Sequence, residues 1–187
     1  MKDILSYLNR EKDRFYRELG DFLRIPSIST KKENENDMHR AASWVVEQLK
    51  GCGLEEVVSH KTDGHPIVTA RTPRIPKAPT VLVYGHYDVQ PPDPLELWKT
   101  PPFEPTIRDG KIYARGSADD KGQVFIYLKV LEAFHKVRKT FPVNVKLLVE
   151  GEEEIGSPSL ATFLKKQKEL LACDVILVSD THMLSVN

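Results

Sequence analysis

The sequence predicts an α/β fold, a three-layer α/β/α sandwich around a mixed, largely parallel sheet. Short apolar runs alternate along the chain with longer segments of helical periodicity, as in folds that connect parallel strands through helices. The later apolar runs have no polar face, which is typical of strands covered on both sides. The chain of 187 residues, 40% of them hydrophobic and 29% charged, has the composition and length of one globular domain with a sizeable core.

The first two elements are predicted to be amphipathic helices that bury one apolar stripe each. In residues 3–23 the residues at helical spacing are Ile4, Leu8, Phe15, Leu19 and Phe22. Pro26 follows this segment and favours its end. In the second helix the repeating residues are Met38, Ala41, Ala42, Val45 and Leu49, and Gly51 and Gly53 close it.

The rest of the chain alternates between predicted strands and helices. Strands are predicted at residues 54–59, 66–71, 80–85, 142–149 and 173–179, the last two as buried strands, and helices at 119–138 and 157–171. Residues 90–106 carry six of the thirteen prolines, which excludes regular structure and predicts a stiff surface loop. A hairpin is predicted next, because Asp109 and Gly110 stand between two short strand-like runs.

The charge pattern argues against several classes of partner. Lysine plus arginine equals aspartate plus glutamate at 27 each, and the basic residues are scattered, so we expect no nucleic-acid or membrane partner. No apolar segment has the length of a secretion signal or a membrane span, so we expect a cytoplasmic protein. Cys52 and Cys173 are predicted to be buried free thiols.

Four polar segments stand at positions where the chemistry of an α/β protein collects. GHYD follows strand 80–85, ARGSADDKG precedes the helix at 119, EGEEE follows strand 142–149 and SDT follows strand 173–179. Functional residues gather at the carboxyl ends of the strands in such sheets. Because so many carboxylates at one end of an apolar sheet are costly unless a cation neutralises them, the sequence predicts a metal centre there.

Each segment also has an alternative interpretation when it is taken alone. His86 and Asp88 lie two residues apart, so one ring nitrogen could bind a metal while Asp88 accepts a hydrogen bond from the other, but a surface pair would show the same spacing. Helix capping alone could explain one of Asp119 and Asp120. The glutamates of EGEEE could be a solvated loop. However, they directly follow an apolar run, and adjacent glutamates could have separate roles, one binding the metal and the next activating water.

Together the motifs GHYDV, ARGSADDKG, EGEEEIGS and VSDT resemble the aminoacylase/carboxypeptidase family of di-zinc metallopeptidases, especially its carnosine-dipeptidase-like branch. The resemblance covers the chain from about residue 15 to its last residues. It implies a zinc-peptidase catalytic domain with Asp119 as the carboxylate that bridges two zinc ions. His86 and Asp180 would complete the ligands of one ion, and Glu154 would bind the other. Mn²⁺ or Co²⁺ could replace zinc.

The same resemblance implies the roles of two further side chains. Asp88 would orient His86, and Glu153 would be the general base for a water activated by the zinc pair. The implied reaction is hydrolysis of a peptide, dipeptide-like, or N-acyl amino acid amide bond. The peptide bond between Asp119 and Asp120 is expected to be cis.

Family members continue past the SDT segment through a lid or dimerisation domain and return with a further metal-binding histidine. We therefore expect residues 1–187 to be the N-terminal part of a catalytic domain, without the lid domain and the C-terminal catalytic segment. The full-length protein is expected to form a homodimer through that absent domain. The alternative is a truncated, non-catalytic metal-binding or interaction module. His182 has no ligand role in the family pattern.

Overall fold

The computed structural model describes residues 1–181, which form a mixed sheet between two unequal layers of helices. The strands are β1 (Glu55–His60), β2 (Ile67–Arg71), β3 (Thr80–His86), β4 (Thr106–Arg108), β5 (Lys111–Tyr113), β6 (Asn144–Glu150) and β7 (Val175–Val178). The helices are α1 (Lys2–Leu23), α2 (Glu35–Gly51), α3 (Lys121–Arg138), α4 (Leu160–Lys166) and α5 (Lys168–Leu171), with short 3-10 turns at Lys32–Asn34, Leu95–Leu97 and Glu153–Ile155. The predicted α/β fold is confirmed.

The main sheet has five strands in the order β1-β2-β6-β3-β7. The pairs β1/β2 and β2/β6 are antiparallel, whereas β3 pairs in parallel with both β6 and β7. His86 is the register partner of Glu150, and Tyr84 is that of Val178. The carboxyl ends of β6, β3 and β7 therefore meet at one edge, and this parallel half carries the predicted site.

The larger helical layer consists of α1, α2 and α3 and covers one face of the sheet. Its core joins the apolar stripes of these helices to Val83, Leu147 and Val149 of the sheet. Phe22 and Trp44 stack with ring centroids 4.2 Å apart. The apolar stripes predicted for α1 and α2 are therefore part of the core, as expected. Burial of each of their large side chains contributes roughly 1.5–3 kcal/mol.

Within residues 1–181, the opposite face of the sheet is covered only by α4 and α5. Phe163 and Leu171 of these helices pack on Ile67, Leu82 and Leu148. The single helix predicted over 157–171 is wrong, because the chain forms two short helices with a break at Gln167. This second layer is therefore smaller than the first.

The strand β7 lies at an edge of the sheet and differs from its prediction as a buried strand. Val175, Ile176, Leu177 and Val178 are all exposed, with 42% to 61% of their surface accessible. Only β3 pairs with this strand among residues 1–181. The strand itself is predicted correctly, but the prediction that it is buried is wrong for the part of the chain that the structure describes.

The predicted proline-rich loop and hairpin are both present. Between Gln90 and Pro105 the only regular structure is the 3-10 turn Leu95–Leu97. The strands β4 and β5 pair in antiparallel register, and Asp109 and Gly110 have φ angles of 49° and 71° in the turn that joins them. Two left-handed residues are what a tight two-residue hairpin turn requires. Cys52 and Cys173 are free, the first buried and the second half-buried.

Candidate metal centre

All six predicted site residues lie at the carboxyl edge of the parallel strands. Their positions are His86 at the end of β3, Asp88 two residues later, Asp119 before α3, Glu153 and Glu154 in the 3-10 turn after β6, and Asp180 after β7. The parallel pairing of β3 with β6 and β7 brings these segments together, as predicted.

The centre of the cluster is the imidazole of His86, which is fully buried. Its Nε2 atom lies 3.1 Å from Oδ1 of Asp119 and 3.6 Å from Oδ2 of Asp180. Within residues 1–181 this nitrogen has no hydrogen-bond partner. A buried ring nitrogen without a partner, facing carboxylates, fits a metal ligand, because neutral imidazole and carboxylate oxygens are common zinc ligands.

The electrostatic field at His86 also favours a cation. Burial lowers the pKa of His86, but the hydrogen bond and charge of Asp88, with the charges of Asp120 and Glu153, outweigh burial and raise the pKa to about 10. No lysine or arginine pairs with these carboxylates in the described part of the chain. The site therefore stabilises a positive charge, either a proton on His86 or a bound cation, that no lysine or arginine of the described residues supplies.

Among residues 1–181, two overlapping groups of donor atoms could hold metal ions. One is His86, Asp119 and Asp180, and the other is His86, Glu153 and Glu154, with the donor atoms of each group within 4.8 Å of one another. The first group is the ligand set predicted for one ion. Asp119 and Glu154 are close enough for the charge of Asp119 to help raise the pKa of Glu154, after burial. The bridging role of Asp119 stays a prediction.

Asp88 makes more contacts than the sequence predicts. Nδ1 of His86 hydrogen-bonds the backbone carbonyl oxygen of Asp88 at 3.1 Å, and the buried Oδ1 of Asp88 lies 3.3 Å from the same nitrogen. In addition, the backbone N–H groups of Glu153 and Glu154 donate to Oδ1 and Oδ2 of Asp88, at 3.3 and 3.0 Å. Asp88 thus contacts the imidazole through its backbone carbonyl and its carboxylate, and the carboxylate also holds the turn that carries both glutamates.

Asp120 is a site residue that the sequence interpretation missed. It is 2% exposed, and its Oδ2 atom accepts the backbone N–H of His86 at 3.1 Å. Its side chain makes no capping hydrogen bond to α3, so helix capping does not explain it. A Cβ atom on Gly85 would lie 2.7 Å from Oδ2 of Asp120. Glycine in a strand often marks a close approach of another group, so Gly85 is the sequence feature that could have indicated the position of Asp120.

The glutamate segment after β6 is held in place by hydrogen bonds and is not a solvated loop. Glu152 is buried and accepts hydrogen bonds from the backbone N–H groups of His65 and Ser159. Gln90 holds Glu154 through its side-chain amide, 2.8 Å from Oε2, and through its backbone N–H, 3.2 Å from Oε1. Burial, followed by the neighbouring carboxylates, raises the pKa of both Glu153 and Glu154.

The site is open on one side. The side chains of Asp119 and Asp180 are 57% and 28% exposed, in contrast with the buried His86. The peptide bond between Asp119 and Asp120 is cis, as expected. His182 lies outside the described residues. None of the helices in residues 1–181 has the length and apolar character needed to cross a membrane.

Comparisons with known proteins find similar chains over most of the sequence. Residues 82–187 match the model of peptidase family M20/M25/M40. The chain is 31% identical to the Beta-Ala-His dipeptidase of Rattus norvegicus over 99% of its own length and 40% of that protein. It is likewise 31% identical to the Cys-Gly metallodipeptidase dug1 of Schizosaccharomyces pombe, over 97% of this chain and 40% of that protein.

The fold comparison extends over nearly the whole chain. The crystal structure of human carnosine dipeptidase 1 superposes with a TM-score of 0.91 and 30% identity, covering 98% of this chain and 42% of that one. The chain thus spans about 40% of the length of the curated relatives it matches.

Proposed function

The chain belongs to the M20/M25/M40 family of peptidases, and we propose that it carries the metal centre of a hydrolase that cleaves a dipeptide or N-acyl amino acid amide bond. The observation that carries this proposal is the buried Nε2 atom of His86, which has no hydrogen-bond partner in the described residues and faces Asp119 and Asp180. The names of the relatives, both dipeptidases, support small peptides as substrates. The alternative of a non-catalytic module is not favoured by these relatives.

His86, Asp119 and Asp180 would hold one divalent ion, and Asp119 with Glu154 a second. Zinc is the expected ion, with Mn²⁺ or Co²⁺ as possible replacements, because the donors are one imidazole and several carboxylates. Such ions, when bound, lower the pKa of water and polarise the carbonyl group of the substrate. The full-length protein is proposed to act as a homodimer.

Glu153 is proposed to be the general base. Its carboxylate lies 3.9 Å from Nε2 of His86 and is half-buried. It therefore lies beside the proposed ligands but is not buried among them. Burial raises its pKa above the ordinary value, which favours a base near neutral pH. Glu153 would accept a proton from the attacking water and pass it to the amine that leaves when the amide bond breaks.

Metal binding is tested first, on the purified 187-residue chain. His86, Asp119 and Asp180 offer three protein donors, the usual number at a catalytic zinc site, whereas among residues 1–181 the proposed second position is given two, Asp119 and Glu154. Equilibrium dialysis followed by metal analysis should therefore find near one zinc per chain, and His86→Ala should abolish it. A parent chain that binds no zinc, or a His86→Ala variant that binds it fully, contradicts the proposed centre.

Catalysis is tested on the full-length protein with two isosteric variants. The substrates are dipeptides and N-acyl amino acids. Glu153→Gln should retain metal and lose most turnover, because an amide cannot accept the proton of water. Glu154→Gln should lose metal as well as turnover. Hydrolysis by Glu153→Gln at the parent rate would show that Glu153 is not the base.

A further inference from the structure

Lys121 is a fully buried lysine in the first turn of α3, directly after Asp119 and Asp120. Its Nζ atom donates hydrogen bonds to the backbone carbonyl oxygens of Phe22, at 3.1 Å, and Ile25, at 2.6 Å. Nζ also lies 4.9 Å from the centroid of the Phe22 ring. Phe22 is in the last turn of α1, where carbonyl groups carry the partial negative charge of the helix, and Ile25 lies two residues past the end of α1. Lys121 therefore connects the end of α1 to the start of α3.

This burial needs an explanation beyond packing. A buried ammonium is costly without an ionised partner, and the hydrogen-bond acceptors of the Lys121 Nζ are main-chain carbonyl oxygens and not carboxylates. A methionine would fill nearly the same volume without that cost. The contacts that Nζ makes, two main-chain carbonyls and one ring, are thus what the lysine adds.

The loop that precedes Lys121 is folded tightly around its side chain. The backbone N–H of Gly122 donates to the carbonyl of Gly116, and a Cβ atom on Gly116 would lie 3.3 Å from Cδ of Lys121. A Cβ atom on Gly122 would lie 2.1 Å from the carbonyl oxygen of Ser117. Both glycines therefore allow a close turn with the lysine stem inside it.

The same loop presents the two aspartates to His86. The carboxylate of Asp120 accepts the His86 backbone N–H, and that of Asp119 lies 3.1 Å from Nε2 of His86. Lys121 is the next residue along the chain, and its side chain makes long-range hydrogen bonds from this loop to α1. A shift of the loop away from α1 would therefore displace the carboxylates from the imidazole.

We propose that Lys121 is a positioning residue of the metal centre, which anchors the Asp119–Asp120 segment to the carboxyl end of α1 and so sets the distance between the Asp119 carboxylate and His86. The proposal rests on the proposed function, because it assumes that these two side chains share a metal ion. It assigns to Lys121 a role in metal affinity in addition to any role in folding.

A matched pair of variants on the same helix separates these two roles. Lys129 is also a buried lysine of α3, but its Nζ atom pairs with Glu18 and Glu132, away from the predicted ligands. Zinc affinity of the folded 187-residue chain is measured by competition with a chromophoric chelator, and the melting temperature by circular dichroism. Lys121→Met should weaken zinc binding 10- to 100-fold, the usual effect of losing support for a ligand. Lys129→Met should lower the melting temperature and leave zinc affinity within about threefold of the parent.

The outcomes distinguish this inference from the proposed function. A parent chain without zinc affinity overturns both. A parent that binds zinc, with a folded Lys121→Met variant that binds it equally well, overturns only the role of Lys121. If Lys121→Met does not fold, Lys121→Gln, which keeps a shorter donor, is expected to bind zinc with an affinity below the parent value. Parent affinity in that variant, or failure of both variants to fold, shows that Lys121 serves folding and not the metal centre.

Discussion

Two clusters of buried charge contact α3, and they differ in how their charges are balanced. In the first, which we term the helix network (Tyr7, Arg14, Glu18, Lys129 and Glu132), Glu132 accepts hydrogen bonds from Tyr7, Arg14 and Lys129, and Glu18 pairs with Lys129 and Arg14. In the second, the metal centre, one imidazole faces a group of carboxylates.

The difference shows which of the two regions is expected to bind a ligand. The helix network contains two basic and two acidic side chains, so the protein itself satisfies each buried charge. In the metal centre, the buried Nε2 of His86 and Oδ1 of Asp120 have no hydrogen-bond partner among residues 1–181. Burial of charge alone therefore does not identify a functional site, whereas an excess of one sign with unpartnered atoms does.

The largest expected effect is on stability, in the helix network. Glu132→Gln removes the charge that Lys129 and Arg14 share, and breaking a buried ion pair costs about 3–5 kcal/mol. The free energy of unfolding, measured in urea, should fall by about that amount while zinc affinity stays unchanged. Glu11→Gln is the control, since its pairs with Arg10 and Arg14 are near the surface, where solvent screens them and their contribution is small. Equal losses in both variants would contradict the assignment.

Acid should remove the same stabilisation. Burial raises the pKa of Glu132, but hydrogen bonds from Arg14, Lys129 and Tyr7 outweigh burial and lower the pKa to about 2, from an ordinary value of 4.5. The stabilisation is therefore complete above pH 4.5 and is lost as the pH falls towards 2, with a loss of up to about 3 kcal/mol.

Unfolding free energies at pH 5, 4 and 3 check this dependence. The parent should lose more stability over this range than Glu132→Gln, which has no carboxyl group to protonate at that position. Parallel pH profiles for the two proteins would show that Glu132 is not the group responsible.

The next effect concerns the metal centre and should appear in zinc affinity. Asp88→Ala removes the carboxylate beside Nδ1 of His86, although the backbone carbonyl of residue 88 remains as an acceptor, and it leaves the backbone N–H groups of Glu153 and Glu154 without theirs. Zinc binding should weaken by about 10- to 100-fold. Asp21→Ala, which removes only an exposed contact with Arg24, is the control for a lost carboxylate. An intact fold with parent zinc affinity in Asp88→Ala would refute the orienting role.

The smallest effect should come from the exposed side of the centre. The hydroxyl of Tyr127 on α3 hydrogen-bonds Ser179, the residue before Asp180. Tyr127→Phe removes one hydrogen bond, worth about 0.5–1.5 kcal/mol, so zinc affinity should fall by at most about tenfold with little change in stability. Tyr16→Phe, on the exposed face of α1, should leave zinc affinity unchanged. Indistinguishable affinities in the two variants would mean that Tyr127 does not position Asp180.

The site residues were predictable to different degrees. His86, Asp119, Glu153, Glu154 and Asp180 follow or precede elements with clear periodicity, and the carboxyl ends of parallel strands meet by geometry. The burial of β7 was not predictable, because apolar residues in a strand indicate a capacity for burial and not what lies against them. The break at Gln167 was missed because helical spacing continues across it.

The sequence by itself determined the types of most elements, the chemical identity of the donors and the edge of the sheet at which they gather. These features depend on short-range periodicity and on the chirality of strand and helix connections. Only the tertiary structure decided which atoms support the donors. Asp88 reaches Glu153 across 65 positions of the chain, Asp120 reaches His86 across 34, and Lys121 reaches Phe22 across 99. Such contacts depend on how the helices and strands pack against one another, and no local pattern of residues encodes that packing.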